Sequence, residues 1–203
     1  MVTVRSPTLT TLAVFVVVFV LQLIAQLLGT AVMASLFVLS PPVGTNPWTI
    51  VTSVYAHDGI AHLVANSIAL FVPGLILERA TTRLRWHLFF VTSGAIAGLS
   101  EITFGNLLGS QFTGVLGASG AVFALIGYLV TGNRLSQAAL GRFEVSGRVQ
   151  LAIFALIAVV VTVATGSPGV ALIAHFTGLL VGLLAGQVNL LRVGSTEPSA
   201  QTV

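Results

Sequence analysis

Charge is what this chain lacks most. Only 6% of its 203 residues are charged, cysteine is absent, and all eight basic residues are arginine. Without cysteine there is no disulfide framework, thiol nucleophile or thiolate metal site. The net charge of +3 comes from arginines that stand scattered rather than in a patch, so nucleic acid is not an expected partner. What is present is apolar: 56% of the residues are hydrophobic and the mean hydropathy is +1.05. A water-soluble domain of this size does not reach that value, so the chain reads as an all-α protein of the lipid bilayer.

A hydrocarbon core of about 30 Å takes roughly 20 helical residues to cross, which leaves room for about six spans in a single domain. They are expected near 12–28, 60–77, 86–104, 115–131, 149–164 and 170–191. No cleavage-site pattern follows the first apolar stretch, which is therefore read as a span. Residues 29–59 carry Pro41, Pro42, Gly44, Pro47 and Trp48, the composition of a long loop lying partly in the interface with Trp48 as an anchor. Arg5, the group Arg79, Arg83 and Arg85, the group Arg134, Arg142 and Arg148, and Arg192 all fall in alternate connections or tails. Arginine favours the cytoplasmic side, so both termini are expected there, with 29–59, 105–114 and 165–169 facing outside. The short connection 165–169, rich in Gly and Pro, is expected to cap whatever lies beneath it. Internal repeats are not evident, which disfavours a carrier built from two related halves.

Polar side chains inside such spans are costly and call for a reason. Ser119 lies in an apolar run among Gly117, Gly120 and Gly127, while His62, Asn66 and His175 lie near the outer ends of the second and sixth spans. At about 1.5 Å per residue all four fall within roughly 10 Å of the outer face. His62 and Asn66 share one face of a helix, as do Ser119 and Phe123. Gly178, Gly182 and Gly186 form a stripe on which another helix can come close. Each of these residues alone is compatible with plain helix packing. Together they make an acyl-transfer site: a serine that an imidazole can deprotonate, with Asn66, His62 and the Ser119 backbone N–H as oxyanion donors. No carboxylate accompanies them, so the site would be a dyad. Asp58 and Glu101 are expected at most to order loops, and His57 to be solvated or loop-ordering. A metal site from His57, His62 and His175 would lack an acidic ligand and zinc-helix spacing. No cofactor or metal is expected.

At these residues the sequence resembles the rhomboid family of intramembrane serine proteases. The family's Gly-x-Ser-Gly reads Gly117-Ala118-Ser119-Gly120, its His-x4-His-x3-Asn runs from His57 through His62 to Asn66, and its Ala-His-x2-Gly-x3-Gly runs from Ala174 and His175 through Gly178 to Gly182. The resemblance covers 48–191. It implies a six-transmembrane-helix rhomboid-like bundle with a long first outer loop, forming one membrane domain over 1–203 with a core of about 12–191 and short cytoplasmic tails at 1–8 and 192–203. It implies Ser119 as nucleophile, His175 as general base, and His62, Asn66 and the Ser119 N–H as oxyanion donors, with Phe123, Gly117, Gly120, Gly178 and Gly182 in support. Single-span or multi-span membrane proteins would be the substrates, cut in or near the outer end of a transmembrane helix. A prokaryotic cell membrane is the expected location. The chain departs from many relatives in having Thr49 after Trp48 where they have arginine, and Phe123 where they have tyrosine. Two other readings remain: an inactive relative that binds transmembrane segments without cutting them, and a small-solute carrier using the same polar cluster.

Overall fold

Runs with so few polar side chains must satisfy their backbone groups locally, and the helix is the local solution. A computed structural model describes residues 6–105, 114–132, 146–164, 166 and 170–192. In chain order the helices are α1 (Pro7–Leu28), α2 (Thr30–Phe37), α3 (Thr49–Tyr55), α4 (Gly59–Leu77), α5 (Arg83–Phe104), α6 (Ser119–Gly132), α7 (Gly147–Ala164) and α8 (Leu172–Gln187). Four of them, α1, α4, α5 and α7, are long and apolar enough to cross a membrane, while α6 and α8 are shorter apolar helices. Their outward faces stay apolar: Leu27 on α1, Ile68 on α4 and Val163 on α7 are each about 70% exposed or more, as contact with lipid allows.

The segment expected as a loop over 29–59 contains α2 and α3. Gly29 explains where α1 ends: its φ of +134° lies in a region that L side chains rarely adopt, so the apolar run breaks there and restarts as α2. The Trp48 indole N–H donates to the Ser35 carbonyl at 2.9 Å and the Thr52 hydroxyl to the Leu36 carbonyl at 2.6 Å, tying α3 to α2. Thr49 is buried and donates to the Asn46 carbonyl at 2.6 Å. Trp48 thus anchors this segment with threonine as its neighbour. The fourth span also starts later than expected. Leu39 and Val115 form an antiparallel bridge with N–H to O distances of 2.9 and 2.8 Å, so the chain is extended before α6 begins at Ser119.

One end of the molecule gathers the start of α1, the end of α4 and the start of α5. Glu78 accepts from the Ser6 hydroxyl at 2.6 Å and from the Thr8 N–H at 3.1 Å, placing a carboxylate on the first turn of α1. Burial pushes the Glu78 carboxyl up, but bonds from Ser6 and Thr8 and the nearby Arg79 outweigh it and hold it below its ordinary value. The Arg85 guanidinium donates to the Arg192 carbonyl at 3.2 Å, bringing the chain beyond α8 to the same end. Arg134 and Arg142, most of 105–114 and 165–169, and the outer parts of both tails lie outside the described residues.

Helix α6 sits centrally, packed against α8, α5 and α4. Its contact with α8 is backbone against backbone: a Cβ at Gly178 would run into the Gly120 carbonyl, and one at Gly182 into the Ala124 carbonyl. Around this seam Phe15, Trp86, Phe90 and Leu125 form the main buried cluster, and Phe154, Ala158, Leu179 and Leu183 attach α7 to α8.

Candidate active site

Two glycine features put Ser119 where it is. Gly117 has φ +133° and donates its N–H to the Ser53 carbonyl at 2.9 Å, turning the extended chain into the start of α6. Ser119 is therefore the first residue of a helix, where backbone N–H groups lack intrahelical partners. Gly120 and Gly178 then let α8 approach until His175 Nε2 stands 2.9 Å from the Ser119 hydroxyl. Phe123, one turn after Ser119, packs on the imidazole with ring centroids 4.4 Å apart. The Nδ1 atom of His175 is buried and has no hydrogen-bond partner among the described residues. A serine hydroxyl so bonded can pass its proton to the imidazole as it attacks a carbonyl.

His62 and Asn66 face the same space from α4. The Asp58 N–H donates to His62 Nδ1 at 3.2 Å. A backbone amide can only donate, so Nδ1 carries no proton and the neutral ring holds its hydrogen on Nε2. That edge lies against the chain leading into Ser119, because a Cβ on Gly117 would sit 2.8 Å from His62 Cε1 and 3.0 Å from Nε2. Gly117 is needed both for its backbone angle and for the room it leaves. Asn66 is buried and gives one amide hydrogen to the His62 carbonyl at 3.1 Å, leaving a second to donate. A cavity of about 600 Å³ is lined by Asp58, His62, Asn66, Ser119, Ala171 and His175 among others. His62, Asn66, Ser119 and His175 thus line one cavity, while Phe123 and the glycines pack around it.

Glu101 behaves otherwise than expected, and of the two expectations for His57 solvation does not hold. His57 is not solvated: it is 2% exposed, with its ring 4.7 Å from Phe15 and 5.2 Å from His62. Gln22 on α1 brackets its backbone, accepting from the N–H at 2.9 Å and donating to the carbonyl at 3.3 Å. Burial, with some repulsion from His62, pushes the His57 imidazole down to about 4, so it stays neutral behind the site. Asp58 orders the loop through its backbone and lines the cavity mouth. Glu101 does not order a loop: it is 3% exposed and accepts from the Ala174 N–H at 2.9 Å, one residue before His175. Its signal in the sequence was a carboxylate inside an apolar span, which demands a partner. Among the described residues no group of His, Asp and Glu could hold a metal ion.

This fold and constellation define a class. The model of the rhomboid domain matches residues 44–192, and the chain belongs to the rhomboid family. It is 31% identical over 150 residues to RHOMBOID-like protein 4 of Arabidopsis thaliana, covering 73% of this chain and 36% of that protein. Rhomboid protease GluP of Bacillus subtilis is 32% identical over 83 residues, 41% of this chain and 15% of that protein. Rhomboid-related protein 2 of Mus musculus is 28% identical over 100 residues, 49% of this chain and 32% of that protein. The chain spans well under half the length of the plant relative.

Proposed function

We propose that this chain is an intramembrane serine endopeptidase working through a Ser119–His175 dyad. The observation that carries this reading is the 2.9 Å contact between the Ser119 hydroxyl and His175 Nε2 at the wall of a cavity that His62 and Asn66 also line. Ser119 Oγ attacks a substrate carbonyl while its proton moves to His175 Nε2. The Ser119 N–H, the second Asn66 amide hydrogen and His62 Nε2–H receive the developing oxyanion. Collapse returns the proton from Nε2 to the leaving amine and leaves an acyl-serine ester. Water, deprotonated by the same nitrogen, then hydrolyses the ester. The substrates are transmembrane segments of other proteins in the bilayer, cut near their outer ends where water reaches the serine. The surrounding architecture is one domain over 1–203 with six crossings, α6 and α8 included, and a long outer segment over 29–59. In this reading both termini lie in the cytoplasm of a prokaryotic cell.

A fluorophosphonate probe tests the reading: in liposomes it should modify one residue, Ser119, identified by peptide mass spectrometry. A folded protein that takes up no label would leave the non-cutting, segment-binding relative as the better description.

Replacing either His62 or Asn66 by alanine should lower kcat by about 10²-fold with KM little changed, as loss of one oxyanion donor does elsewhere. If KM rose instead while kcat held, these residues would be binding groups for the substrate rather than donors to the transition state.

A further inference from the structure

Helix α8, which carries His175, starts without a cap of its own. Its N-cap residue is Ala171, which offers no side-chain acceptor, and the first N–H groups of a helix have no intrahelical partners. In an apolar setting such unpaired donors are costly. The missing acceptor comes from another helix. Glu101 on α5 places Oε2 2.9 Å from the N–H of Ala174, the third residue of α8, where an N-cap side chain ordinarily bonds. The His175 N–H is already engaged with the Ala171 carbonyl at 3.1 Å. Ala97, one turn before Glu101 on the same face of α5, lies against Gly120 of α6. The α5 face therefore touches both helices of the dyad.

We propose that Glu101 is the positioning residue of the general base: a helix cap supplied in trans by α5 that locks the first turn of α8 and so holds His175 Nε2 on Ser119. This rests on His175 being the base. Glu101 is not a triad acid, since its Oε2 is spent on a backbone N–H and His175 Nδ1 has no hydrogen-bond partner among the described residues. What matters is the acceptor oxygen, which a glutamine amide also supplies.

The test compares Glu101→Leu and Glu101→Gln in liposomes. In the leucine variant the rate constant for fluorophosphonate labelling of Ser119, and kcat for a transmembrane substrate, should each fall about tenfold or more, because small displacements of a catalytic group are costly. The labelled end point and KM should stay near wild type, which a merely misfolded fraction would not give. Exchange of the Ala174 amide hydrogen should accelerate at least tenfold or so, since its bond is gone. Glu101→Gln should restore all three readouts to within about threefold of wild type. Unchanged labelling rate in Glu101→Leu, or a glutamine variant as impaired as the leucine one, would overturn the proposal. Amide exchange needs no activity, so the cap is judged separately: unchanged exchange at Ala174 sinks it even if the wild type cleaves. A wild-type protein that never labels sinks the protease reading and the positioning role together.

Discussion

Ser119→Ala and His175→Ala are each expected to bring peptide-bond cleavage down to background, a loss of roughly 10⁴-fold or more, with the double variant no worse than either single one. In the proposed mechanism the two residues act as a unit. Without the hydroxyl there is no nucleophile, and without the imidazole the hydroxyl keeps its proton, so the second deletion removes nothing further. Neither change should prevent folding. Ser119 is only half-buried at a helix start, and His175 lines the cavity with its ring on Phe123, so both variants should insert and keep a thermal midpoint within a few degrees of wild type. The measurement is release of a shed fragment from a transmembrane reporter co-reconstituted in liposomes. Substantial turnover by either variant would mean that another group supplies the nucleophile or the base.

The second large effect is expected at Gly178, in the seam rather than in the dyad. A Cβ there collides with the Gly120 backbone carbonyl, which cannot swing aside as a side-chain tip would. Gly178→Ala must therefore push α8 away from α6, at about 1–3 kcal/mol for the overpacking. The catalytic cost is larger. His175 lies one turn before Gly178 on α8 and Ser119 lies beside Gly120 on α6, so the same displacement lengthens a bond that now measures 2.9 Å. A misplacement of about 1 Å costs on the order of 10² in rate, and Gly178→Ala should show at least that loss in kcat with a lower thermal midpoint. Gly147→Ala at the start of α7 is the control, since among the described residues no atom beyond its own turn of helix lies within 4 Å of the added carbon. Near-normal cleavage by Gly178→Ala would mean that the two helices have slack and that their close approach does not set the geometry of the dyad.

His62, Asn66, Ser119 and His175 could be placed together from the sequence because two independent patterns agree. The arginines sort the connections into two sides, and the rise along a helix then fixes the depth of each polar residue. The glycine stripe on α8 was legible for a similar reason: a residue without a side chain, repeated at helical spacing, has few uses other than close contact. Three other features were not legible. Ser119 was expected about a turn inside its span, yet α6 starts at that residue. The preceding Val115 pairs with Leu39, 76 positions earlier, and no local pattern carries such a pairing. His57 reads as an outer-loop residue, but Gln22 and Phe15 of α1 fold over it. Residues 29–59 read as a loop because proline and glycine dominate their middle, and α2 and α3 on either side are too short for periodicity to declare.

Composition and spacing by themselves determined that this chain lies in a bilayer, that it is helical, and which polar residues share one depth, while the motifs around its serine and histidine carried the resemblance to rhomboids. Those properties follow from how single residues and short segments partition between lipid and water. Only the tertiary structure decided the 2.9 Å separation of Ser119 and His175, the lie of the His62 ring against Gly117, and the attachment of Glu101 to the start of α8. Each depends on a contact between elements distant in sequence. The orphan N–H groups of a helix start say that an acceptor is needed, but not which neighbouring helix will provide it.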